Sequence, residues 1–262
     1  MTDDTFHRDD SFLYEHDYSS VYDRIFSDSA QVLEVVDFLE SNIDSKDSRI
    51  LELGAGTGRI TIPLAERGYV IDAVELSRDM YDLLEKKSCG IDNISTYLDD
   101  MCTWRPRDSD GEIHYDLIYC VLGTFGCLPS ELEQDLFFRN VSSLMGASSL
   151  LVMEIFDSAV FERIKNSARG MHTLIPVIGE EATLESVYEA DGDFLRISHT
   201  WLEGNAKTEF DEQVRIISSS KISEIAGLHN LEISGHFNEW KPSQGMKDPS
   251  AVSIFKFIKK PL

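Results

Sequence analysis

One nine-residue stretch limits the folds open to this chain more than any other: Leu51-Glu52-Leu53-Gly54-Ala55-Gly56-Thr57-Gly58-Arg59. It closes a short apolar run and precedes a helical pattern that ends at Gly68. Alternate glycines between a strand and a helix let the backbone turn sharply and approach a ligand closely. The helix start that follows offers free N–H groups. In open α/β sheets such a turn lies at the carboxyl end of a strand, where ligands bind. A dinucleotide fold wants Gly-x-Gly-x-x-Gly or Ala. Here the third glycine comes one residue early, and Arg59 stands where Gly or Ala is expected.

The surrounding pattern extends this α/β reading. Val32, Val35, Val36 and Leu39 recur at i, i+3, i+4 and i+7, one face of an amphipathic helix. A strand running into a glycine turn is expected over 49–56, further strands at 69–76, 94–101, 115–123 and 148–156, and a helix over 58–68. Ser77 is placed to cap a second helix carrying Met80, Leu83 and Leu84. Ser130 and Glu133 have capping-box spacing and open a third, through about Leu144. Near-continuous apolar strands alternating with helices predict a parallel sheet covered on both faces.

After residue 170 the period changes. TLESVYEA, DFLRISHTWLE and AKTEFDEQVRII read as strands, separated by Asp191-Gly192-Asp193 and Gly204-Asn205, which is hairpin chemistry. A helix at 220–228 and strands at 231–237 and 251–259 follow. The division expected is 1–170, an N-terminal segment and α/β core; 171–218, an antiparallel insert; and 219–262, the return of the core.

Charge excludes whole classes of partner. Lysine and arginine total 24 against 47 aspartates and glutamates, a net of −23. Nucleic acids and anionic membranes need a basic footprint, so neither is expected. No apolar run approaches the roughly 18 residues of a membrane span. Cys89, Cys102, Cys120 and Cys127 form no CxxC or CxxH, and His16, His114, His172, His229 and His236 fit no ligand spacing, so no metal is expected. Unpaired thiols and a polar, acidic start, loosely ordered over residues 1–20, point to a cytoplasmic chain.

The context Glu52-Leu-Gly-Ala-Gly-Thr-Gly58 resembles motif I of class I S-adenosylmethionine (SAM)-dependent methyltransferases. More narrowly, four stretches resemble the small-molecule group that includes the NDP-aminosugar N,N-dimethyltransferases. They are Tyr18-Ser-Ser-Val-Tyr22-Asp23, Leu76-Ser77-Arg78-Asp79-Met80, Leu122-Gly123-Thr124-Phe125-Gly126-Cys127-Leu128 and the Arg196–Asn205 hairpin. Two positions depart from that group: Cys127, usually His or Tyr, and Ile155-Phe156, usually a tryptophan pair.

The resemblance implies a seven-stranded Rossmann-like sheet with the antiparallel insert over the active site. The implied cofactor is SAM, held by Tyr22, Gly54, Ala55, Gly56, Arg59, Glu75, Leu76, Met80, Asp100, Met101 and Cys120. Glu75 would accept from both ribose hydroxyls. Asp100 would accept from the adenine amine, with the Met101 N–H serving a ring nitrogen, and Arg59 would meet the cofactor carboxylate. Tyr22 and His199 are the candidate catalytic residues. The implied reaction methylates a small molecule, by preference at an amine nitrogen of an aminosugar or other natural-product intermediate. The alternative is a hydroxyl or carboxylate oxygen. The oligomeric state stays open, a homodimer included.

Overall fold

The computed structural model describes residues 16–26, 29–106, 113–156, 158–167, 171–176, 181–241 and 252–260. Its centre is a seven-stranded sheet. The first strand, β1 (Arg49–Leu53), pairs in parallel with β2 (Val70–Glu75) on one side and with β4 (Tyr115–Cys120) on the other. β3 (Ile94–Leu98) follows β2, and β5 (Met145–Phe156) follows β4, both parallel. Two late strands, β10 (Leu231–Phe237) and β11 (Val252–Lys259), complete the order β10-β11-β5-β4-β1-β2-β3. β11 runs antiparallel to both neighbours, so the sheet is mixed where the strand pattern predicted parallel.

Five helices connect and cover these strands: α2 (Ser29–Glu40), α3 (Thr61–Glu66), α4 (Arg78–Ser88), α5 (Glu131–Leu144) and α7 (Ser219–Leu228). Val35, Val36 and Leu39 are buried in one core with Ile50, Ile71 and Leu117, as the spacing on α2 predicts. Ser77 accepts from the Met80 N–H and starts α4. The capping box at α5 is complete in both directions. α3 begins three residues later than the pattern predicts. Gly58 has φ +85, and its N–H closes a turn onto the Ala55 carbonyl, so the glycine turn runs on to that point before a helix can start.

The insert is a separate four-stranded antiparallel sheet, β6 (Met171–Pro176), β7 (Ala182–Asp191), β8 (Phe194–Glu203) and β9 (Ala206–Arg215). The two hairpins turn at Gly192 and Gly204, each with positive φ. Its edge strand β6, with a proline at its end, is an addition to the three strands read from sequence, as is α6 (Ser158–Lys165) after β5. The insert's inner face packs on two helices. Leu184, Trp201 and Phe210 meet Tyr18 and Val21 of α1 (His16–Ile25). Leu195, Ile197 and Val214 meet Phe161 and Ile164 of α6. Residues 16–20 are helical rather than loose, while 1–15 lie outside the described residues. No helix among the described residues is long and apolar enough to cross a membrane.

Candidate active site

The strand order reverses at β1, with β2 on one side and β4 on the other. The crevice at such a switch point opens beyond the carboxyl ends of these strands. A cleft enclosing about 750 Å³, partly open to solvent, lies there. The glycine turn forms its floor. Gly54 and Ala55 donate N–H bonds to the Val74 carbonyl at 2.8 and 3.0 Å, which ties the turn to the end of β2. Gly54 has φ +78, and a Cβ there would stand 2.1 Å from Cγ2 of Thr124 in the turn after β4. Glycine at 54 is thus the condition for the two turns to meet. Gly56, at φ +56, has nothing within 4 Å of where a Cβ would go, so a side chain there finds free space but a strained backbone.

Glu75 ends β2 and is only 7% exposed. Its Oε2 accepts from the Gly56 N–H at 2.7 Å and its Oε1 from the Ser77 N–H at 2.8 Å. Burial raises its pKa, and the N–H groups of Ser77, Gly56 and Leu76 oppose the rise. Each oxygen keeps acceptor capacity for a donor arriving in the cleft. Glu52, also on the wall, is committed elsewhere: it accepts from Thr61 and, at 2.8 Å, from the Tyr119 hydroxyl, and burial pushes it up to about 8.

The turn after β4 is backbone-strained. Leu122 has φ +58 and Gly123 φ +77. The Leu122 N–H donates to Glu154 Oε2 at 2.7 Å, so a buried carboxylate on β5 pins the turn. Burial pushes Glu154 up to about 7. Thr124 and Cys127 of this turn line the cleft.

α1 straps the cleft. Asp23 accepts from Thr57 of the glycine turn at 2.5 Å and pairs with Lys87 of α4 at 2.9 Å. Arg24 makes two bonds to Glu203 of the insert, at 3.0 and 2.8 Å, and lies over the Trp201 ring. Between these anchors Tyr22 lines the cleft, packed against Tyr18 and Phe26. Burial raises its pKa well above that of a free phenol, so it stays protonated. Arg59 also lines the cleft. It donates to Gln31 at 3.0 Å, lies over the Phe26 ring, and keeps a buried Nε with no hydrogen-bond partner.

Of the residues expected from sequence, Tyr22, Gly54, Ala55, Gly56, Arg59, Glu75, Leu76, Met80 and Met101 come together on the cleft wall. Three do not. β3 ends at Leu98, and the chain then turns so that Asp99 faces the cleft while Asp100 accepts from the Cys102 N–H at 2.8 Å. Cys120 is the last residue of β4, buried in the core below the crevice, and the thiol on the wall is Cys127. His199 lies on the inner face of the insert beside Tyr18 and Phe210, off the wall. Sequence reasoning missed Asp99, Thr124 and Glu154. A lone acid inside the apolar run Leu151–Phe156 was the available signal for Glu154.

These features fit a nucleoside bearing an amino-acid tail. A buried carboxylate faces the cleft at one strand end, and an unpartnered guanidinium Nε waits beside a glycine turn that no side chain obstructs.

Comparison with known proteins agrees. A family model described as a methyltransferase domain matches residues 50–145. The cypemycin N-terminal methyltransferase of a Streptomyces species is 25% identical over 228 residues, 86% of this chain and 89% of that protein. Among solved structures, the CcbJ methyltransferase from Streptomyces caelestis superposes with a TM-score of 0.77 at 22% identity, covering 95% of this chain and all of that one. CalS10 from Micromonospora echinaspora, an amino pentose methyltransferase solved with SAM bound, gives 0.70 at 17% identity, covering 97% and 100%. The solved structures share the fold of this chain.

Proposed function

We propose that this chain, a SAM-dependent methyltransferase, transfers the methyl group to an amine nitrogen of a small molecule. When bound, SAM supplies a methyl group already activated on a sulfonium. The work left to the protein is alignment and exclusion of water. In this reading Glu75 accepts from the ribose hydroxyls, and Arg59 meets the amino-acid carboxylate with its free Nε. Asp99 and the Met101 N–H serve the adenine edge, where the resemblance implied Asp100. Gly54 and Gly56 keep the floor clear, and Tyr22 closes the cleft from α1.

The observation that favours nitrogen is the lack of an uncommitted base on the described wall. Glu52 is bonded to Thr61 and Tyr119, Glu75 to backbone N–H groups, Asp99 accepts from the Asp100 N–H at the end assigned to adenine, and Tyr22 is held protonated. An alcohol needs a base at the moment of attack, whereas an amine can lose its proton to solvent beforehand. Similarity to an N-terminal methyltransferase and to an amino pentose methyltransferase supports the same choice.

The test is a SAM-consumption screen over amines, hydroxy compounds and aminosugar nucleotides, with products read by mass shift. Amines should gain 14 mass units per methyl, as expected for replacing N–H by N–CH3. Across amines of different basicity, the apparent pKa of the rate should track the substrate. A profile fixed across the series, and moved by His199→Ala, would transfer the assignment to oxygen.

A further inference from the structure

One residue beyond Met101 the chain leaves the cleft wall and lines a second, open hollow of about 480 Å³. Cys102, Thr103 and Arg105 line it from the segment after β3, and Leu136, Arg139 and Asn140 from α5. The spacing of the last three puts them on one face of the helix.

The base of the hollow is fixed by its own bonds. Trp104 is buried against Tyr97 and Tyr115, and the Thr103 and Trp104 N–H groups donate to the Asp100 carbonyl at 3.0 and 2.8 Å. Asn140 Nδ2 donates to the Met101 carbonyl at 2.7 Å and to the Trp104 carbonyl at 3.4 Å. Asn140 is 1% exposed, and its Oδ1 is buried with no hydrogen-bond partner. Flipping the amide offers no remedy, because Oδ1 would then face the Met101 carbonyl. A buried acceptor of this kind is costly until a donor reaches it.

The charge at the hollow opposes that of the molecule. Acids outnumber bases 47 to 24 in the chain, yet neither Arg105 nor Arg139 pairs with a carboxylate among the described residues. Arg105 uses Nη1 on the Trp104 carbonyl at 3.0 Å, which leaves most of its donor fork available. Burial and then the Arg139 charge lower its pKa, and no carboxylate offsets them. Two like charges at one hollow repel each other, and an anion between them converts that repulsion into attraction.

We propose that this hollow is a second binding site, separate from the cleft, for a phosphoryl group. Arg105 and Arg139 take its oxygens from the loop and from α5, and a P–OH or neighbouring hydroxyl of the ligand donates to Asn140 Oδ1. The ligand class is hydrogen phosphate or a small, hydroxyl-bearing phosphate monoester. Sulfate has the same shape and charge but brings no donor, so it fits less well.

Inorganic phosphate, sulfate and ribose 5-phosphate are the probes. Each is titrated by calorimetry at low salt into enzyme saturated with S-adenosylhomocysteine, which keeps the probes out of the cleft and off Arg59. Phosphate should bind saturably, at about 1 mM or tighter, and sulfate several-fold more weakly. Arg105→Gln and Arg139→Gln should each weaken phosphate by about ten-fold, and the double variant should lose it. Arg196→Gln removes an exposed arginine paired with Asp191 in the insert and should change nothing. Tighter binding of ribose 5-phosphate than of phosphate assigns the site to an ester, and equal or weaker binding assigns it to the free ion. Absence of saturable phosphate binding overturns the proposal. So does sulfate binding as tight as phosphate, or phosphate binding that survives in the double variant. Both arginines are open to solvent, so the variants should melt as wild type does. Should one fail to fold, the wild-type comparison of phosphate with sulfate still decides.

Discussion

Glu75 illustrates how one side chain serves both fold and cleft. Its two backbone bonds fix the glycine turn to the start of α4, and its remaining acceptor capacity faces the cavity. Glu75→Ala should weaken SAM and S-adenosylhomocysteine alike by about 1–3 kcal/mol, because charge-assisted bonds are lost and the facing donors are left unpaired. Calorimetry checks this, and unchanged affinity would remove Glu75 from the site. The glycines separate two effects. Gly56→Val points a side chain into free cleft space, so it should abolish SAM binding while the domain still melts cooperatively. Gly54→Val collides with Thr124 and should lower the melting temperature as well. The sequence marked all three positions, since a strand-end acid and a glycine turn are local patterns. It put Asp100 on the cleft, whereas the turn beyond β3 brings Asp99 to the wall and bonds Asp100 to the Cys102 N–H.

At the scale of elements, α1 is the joint between core and insert. Asp23 holds the glycine turn and α4, and Arg24 holds the end of β8. Asp23→Ala removes the first anchor at a cost of about 1 kcal/mol, which should weaken SAM by roughly five-fold. It should also open the N-terminal side to limited proteolysis before global unfolding. Arg24→Ala loosens the other anchor, where the partner carboxylate is solvated. It should change acceptor turnover more than SAM affinity, measured as kcat against the SAM dissociation constant. The helix itself was only partly legible. The Tyr18-to-Asp23 segment carried a family likeness, but nothing local announces that Asp23 and the Arg24 that follows it bond to residues 34 and 179 positions away.

For the whole molecule, buried carboxylates set the response to pH. Burial raises Glu52 to about 8 and Glu154 to about 7 from an ordinary 4.5, and raises Glu75 as well. The folded state therefore holds protons that the unfolded chain releases, and stability should fall as pH rises from about 5 to about 8. Glu40 acts in the opposite sense, held near 2 by Lys46 and Arg67, but below this window. Glu154→Gln keeps an acceptor for the Leu122 N–H and removes one titration, so its melting temperature should decline less steeply over that range. A wild-type melting temperature that climbs between pH 5 and 8 would contradict the assignment. The net charge of −23 makes a second prediction: kcat/KM for a cationic amine should drop with added salt, while a neutral acceptor should be indifferent. By itself the sequence determined the strands, the caps, the hairpin turns and the glycine floor, because each rests on contacts within a few residues. Tertiary structure alone decided that β11 runs antiparallel and that Cys127 rather than Cys120 meets the cleft. It also decided that Ser186 of β7 and Glu212 of β9 both come against His199 of β8 on the buried face of the insert. Those outcomes depend on register and packing between segments distant in the chain, for which no local pattern carries the information.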